Sequence, residues 1–102
     1  MFMARVKGNV ITSQKVEKMQ GRKMLIVEPV RVSPDNSEIV GTGRSFIAVD
    51  SLGAGPDELV VITQGSSSRM TSGTSDAPVD CVVIGIIDSV TVLGKKVYQD
   101  QD

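Results

Sequence analysis

Apolar and polar residues alternate from Met3 to Ile11, with Ala4, Val6, Gly8 and Val10 on one side and Arg5, Lys7 and Asn9 on the other. A period of two predicts a half-buried strand. A second strand is predicted from Lys23 to Val32, where Met24, Leu25, Ile26 and Val27 run together before Glu28 and Pro29. Proline lacks a ladder donor, so this strand bends, ends or lies at an edge there. Phe46 to Val49 predicts a third strand. Glu58 to Thr63 predicts a fourth, with Leu59 and Val61 on one face and Val60 and Ile62 on the other, so that both faces are apolar. The fifth predicted strand, Val82 to Val92, is apolar on both faces over its first half.

The connections are read from composition. Gln14 to Gln20 has Val16 and Met19 at helical spacing but stops at Gly21 after about two turns, which predicts a loop with at most one helical turn. Ser33 to Ser37, Ser-Pro-Asp-Asn-Ser, predicts a turn, and Gly41 and Gly43 punctuate the approach to the third strand. Ser66 to Asp76 is Ser, Thr and Gly around Arg69 and Met70, a composition that predicts a long mobile loop. The expected organisation is one β domain over residues 1–94 and a solvated tail over 95–102, where Val97 and Tyr98 offer a short edge strand. Five strands with Gly-rich connections and no convincing helix predict an all-β fold, and at this size a small closed or nearly closed barrel is favoured over a two-sheet sandwich. Such a barrel has one interior. Strands four and five would then leave an apolar face wet, and the expected cover is another copy of the chain.

Composition narrows the function classes. The chain has 102 residues, enough for one modest core. It carries 11 Lys and Arg against 12 Asp and Glu, scattered, for a net charge of −1. That is no field for neutralising phosphates. Its aromatics are Phe2, Phe46 and Tyr98, too few for a base-stacking platform. With no histidine and only Cys81, the parts for disulfides, thiolate or imidazole metal sites and Cys/His or Ser/His catalysis are missing, and no cofactor is expected. Cys81 precedes the apolar run from Val82 to Ile87 and reads as a small buried hydrophobe. No apolar stretch approaches the roughly 18 residues of a membrane span, which predicts a soluble cytoplasmic protein.

The most informative stretch runs from Asp50 to Arg69, where two loops of small residues, Ser51-Leu-Gly-Ala-Gly55 and Gly65-Ser-Ser-Ser-Arg69, bracket the run from Leu59 to Ile62. Asp50-Ser-Leu-Gly-Ala-Gly-Pro-Asp-Glu58, Gly65-Ser-Ser-Ser-Arg69, Ala77-Pro-Val-Asp80 and Val83-Ile-Gly-Ile-Ile-Asp88 follow in order. With Ala4-Arg-Val-Lys-Gly-Asn-Val-Ile-Thr12 and Gly21-Arg-Lys-Met-Leu25 at the start, the chain resembles the EutN/CcmL family of bacterial microcompartment vertex proteins. Pro56 and Asp57 stand where that family usually has a more flexible glycine before the acid, which implies a stiffer turn.

The resemblance implies an OB-type five-stranded barrel that assembles as a homopentamer, caps the five-fold corners of a carboxysome-like shell, abuts hexameric tile proteins and limits metabolite leakage without catalysis. Subunits crowd most closely at a five-fold axis, where small residues permit backbone approach. Ser51, Leu52, Gly53, Ala54 and Gly55 are therefore the first candidates to line the central opening, and Gly65, Ser66, Ser67 and Ser68 the second. A head-to-tail ring joins two different patches. The expected seam consists of outward residues among Leu59, Val60, Val61, Ile62, Val83 and Ile87. Glu58 is expected to accept from N–H groups of the glycine loop, and Arg69 to pair with Asp50, Asp80 or Asp88. Two rival classes are an OB-type module for single-stranded nucleic acid and a carboxylate enzyme using Asp50, Asp57, Glu58, Asp80 or Asp88. The first lacks its aromatics and basic groove; the second has acids only at turns and strand ends.

Overall fold

The computed structural model describes residues 1–14, 16–17, 22–65 and 80–100. Its strands are β1 (Phe2–Val10), β2 (Lys23–Val32), β3 (Ile39–Gly41), β4 (Phe46–Asp50), β5 (Leu59–Gln64), β6 (Cys81–Ile86), β7 (Ser89–Val92) and β8 (Lys95–Gln99). The larger sheet runs β1-β5-β6-β4-β2-β3, and β1 also pairs with β2. That additional pairing closes β1, β2, β4, β6 and β5 into a five-stranded barrel. All of its ladders are antiparallel except β4 with β6, which meet at Val49 and Val82. Closure removes the exposed edges that an open five-stranded sheet would carry.

The alternation of β1 and β2 fills the barrel. Ala4, Val6, Leu25 and Val27 are buried in one cluster with Ala48, Ala54, Val60, Ile62, Cys81 and Val83. Phe2 and Phe46 pack against that cluster with ring centroids 5.9 Å apart. Cys81 is buried as expected of a small hydrophobe. Burial, followed by the charge of Asp80, pushes its thiol pKa up, which keeps it protonated and unreactive near neutrality.

Three features depart from the sequence reading. The fifth predicted strand is two strands, β6 and β7, which separate after Ile86. Within β6, Ile62 pairs with Val83 and Val61 with Gly85, so Ile84 is an extra, bulged residue. The bulge reverses the inward parity, bringing Ile86 as well as Cys81 and Val83 toward the core and leaving Ile84 38% exposed. Residues 95–99 form β8 and pair with β7 in a separate hairpin, so a boundary at Gly94 falls in a turn. Finally, Ile39–Gly41 adds a short strand to the end of β2 beyond Pro29. The intervening turn is the predicted Ser33–Ser37 segment. Asp35 accepts hydrogen bonds from the Ser33 and Ser37 hydroxyls, both at 2.7 Å, and from the Ser37 amide at 3.2 Å. The expected loops over Gln14–Gln20 and Ser66–Asp76 lie partly and wholly outside the described residues.

Candidate functional site

The glycine loop leaves β4 at Asp50, whose side chain turns inward and is only 3% exposed. One carboxylate oxygen accepts from the Leu52 amide and the other from the Ala54 amide, each at 2.8 Å. A buried acceptor with both oxygens satisfied fixes the intervening backbone. Gly53, at the crest, has φ +85°, which L side chains resist. Ser51, Leu52 and Gly53 face outward, with Leu52 50% exposed. Ala54 points the other way, into the barrel cluster. Of the five residues expected at the opening, Ala54 alone is buried within the protomer. The hydrogen bond from its amide to the Asp50 carboxylate and the return of the chain to the barrel wall turn its methyl group inside.

A second turn, Gly55 to Glu58, locks the loop onto β1. Glu58 Oε1 accepts from the Gly55 amide. A Cβ on residue 55 would lie 3.3 Å from that oxygen, so glycine gives the carboxylate its room. Val6 and the turn exchange backbone bonds, Val6 N–H to Glu58 O and Asp57 N–H to Val6 O, both 2.9 Å. Asp57 has φ 67°, a left-handed backbone where a glycine would sit freely. Arg5 donates to the Asp57 carbonyl at 2.8 Å and lies 5.8 Å from the Tyr98 ring centroid. The Tyr98 hydroxyl in turn accepts from the Leu59 amide at 3.3 Å, tying β8 to the barrel. Between this turn and β8 lies an open cleft of about 670 Å³.

The expected seam residues separate into two groups. Leu59, Val60 and Ile62 are 0% exposed and Val83 is 1% exposed. All four are buried within the protomer, so Val61 and Ile87 are the members of the expected set left with exposed surface. Val60, Ile62 and Val83 belong to the interior cluster, while Leu59, on the opposite face of β5, is where Tyr98 reaches the barrel. The C-terminal hairpin is thereby tied to the barrel wall at the start of β5. Val61 and Ile87 remain half-buried, and Ile84 and Ile47 add apolar surface, Ile47 at 49% exposure.

The remaining acids do not converge. Asp80 and Asp88 are exposed; the Asp80 carbonyl accepts from the Gly65 amide and the Asp88 carbonyl from the Asp100 amide. Gly65, with φ +70°, closes the base of the second loop, while Ser66, Ser67, Ser68 and Arg69 lie outside the described residues. Among the described residues no three metal-binding side chains cluster. All three aromatics serve the fold, Phe2 and Phe46 against the core and Tyr98 on Leu59, so nothing favours the nucleic-acid reading.

The described residues thus form a closed five-stranded barrel whose β4–β5 glycine loop is pinned by a buried carboxylate. The sequence profile of the family described as "Ethanolamine utilisation protein EutN/carboxysome" matches residues 1–88, and the chain belongs to that family. It is 37% identical over 102 residues to the carboxysome shell vertex protein CcmL of Gloeobacter violaceus, covering 100% of this chain and 97% of that one. The solved structure of that CcmL superposes with a TM-score of 0.86 and 100% coverage of both chains. The microcompartment shell vertex protein PduN of Salmonella typhimurium is 39% identical over 92 residues, 89% of this chain and 99% of PduN. GrpN of Rhodospirillum rubrum, a pentameric microcompartment shell protein, superposes with a TM-score of 0.78 at 31% identity, covering 91% of this chain and 100% of GrpN.

Proposed function

We propose that this chain forms a closed ring of five that caps the five-fold vertices of a bacterial microcompartment shell and seals them against leakage of small metabolites. The observation that carries the reading is the match, across nearly the whole barrel, to a pentameric shell protein and to relatives named as shell vertex proteins. The role is structural and requires no catalytic group. Its partners are four further copies of the chain and the hexameric tiles of the same shell.

Within the ring, Ser51, Leu52 and Gly53 face the axis, because the crest of that loop is small, outward and held rigid by Asp50. A lining of neutral residues and backbone dipoles selects by size more than by charge. The Gly65 loop is the alternative lining. Val61, Ile84 and Ile87 supply apolar seam area. Electron microscopy of shells assembled with a gold-labelled chain tests the role. Label at the corners is the expected result, and label spread over the facets overturns it.

A further inference from the structure

The β7–β8 hairpin turns through two residues, Leu93 and Gly94, since Val92 pairs with Lys95. Both have positive φ, 51° and 81°, the pattern of a type I′ turn. Such turns favour Asn-Gly, because asparagine tolerates the left-handed backbone and leucine does not. Here the strained position carries a leucine that is 84% exposed. The sequence gives up local stability to hold an apolar side chain at the end of a hairpin that, among the described residues, pairs with no other strand. Lys95 and Lys96 follow it directly.

The opposite end of the same hairpin borders a surface of complementary character. The cleft between the Gly55–Glu58 turn and β8 has an apolar wall from Pro56, Val97 and Tyr98, and its rim carries Asp57, Glu58 and Asp100 against the single guanidinium of Arg5. At about 670 Å³ it accommodates a leucine side chain and a lysine stem. Knob and hole lie on different parts of one chain, the arrangement that a head-to-tail ring requires.

We propose that Leu93 of each protomer docks into this cleft on the next copy of the chain, with Lys95 facing the acidic rim. The contact rests on the ring reading above and names its joint. Lys96, on the other face of the strand, donates instead to Gln99 at 2.8 Å.

The test is ring dissociation on dilution, followed by native mass spectrometry, with melting of the separated protomer measured in parallel. Leu93→Asn should leave the protomer as stable or more stable, because it installs the preferred turn, yet raise the dissociation midpoint at least about tenfold by removing the knob. Lys95→Glu should weaken the ring in the wild-type cleft and do so less in an Asp57→Asn, Asp100→Asn background, a coupling that distant sites do not show. Rings of Leu93→Asn with unchanged dissociation, or charge effects that simply add, overturn the contact and leave the ring standing. A wild-type chain that is monomeric at every concentration overturns both.

Discussion

Replacing Asp50 with Asn preserves the side chain's shape but turns one acceptor into a donor aimed at an amide N–H. Because both carboxylate oxygens hold loop amides in a buried setting, Asp50→Asn is expected to lose about 1–3 kcal/mol of stability, read by urea unfolding. Asp57 behaves differently. Its contacts to Val6 and Arg5 run through the backbone, and its φ suits glycine, so Asp57→Gly should change stability by less than about 1 kcal/mol. Asp35 gives the fold a pH dependence. The Ser37 hydroxyl first, then the Ser33 hydroxyl and the Ser37 amide, hold its pKa below the ordinary aspartate value of 3.8. A depressed carboxylate stabilises the fold above its unfolded pKa and loses that contribution as pH falls through the folded value. The β2–β3 turn should therefore keep its shape through pH 4 and loosen only in stronger acid. An NMR titration of the Asp35 carboxyl carbon reads this directly, and a midpoint at or above 3.8 contradicts it.

At the scale of elements, the hairpin is held to the barrel by Tyr98. Tyr98→Phe removes the acceptor for the Leu59 amide and should cost about 0.5–1.5 kcal/mol, with faster hydrogen exchange at Leu59 than at Val60. Ala54→Phe, which suggests itself as a probe of the axis, instead overpacks the barrel and should destabilise the monomer by about 1–3 kcal/mol before any ring forms. The five barrel strands were legible because each carries an apolar pattern matched to its length. The bulge at Ile84 was not, since one extra residue leaves an equally apolar string while reversing which side is inside. The hairpin was read through, because Ser-Val-Thr-Val continues the alternation of β6 and Leu-Gly lacks the usual turn signal. β3 is three residues long, too short for any period. The glycine loop stood out by composition, but the inward turns of Asp50 and Ala54 depend on bonds between residues that no spacing rule connects.

For the whole molecule, closure of the barrel around its own buried core gives each protomer a fold of its own. Association then joins stable parts through a limited seam. The ring should come apart on dilution or at raised salt into folded monomers with unchanged far-UV circular dichroism. The measurement that bears most directly on the account is the mass of the native particle at micromolar concentration. A single species at five times the 10.8 kDa chain is predicted. A stable monomer, or a closed assembly of any other number, contradicts it.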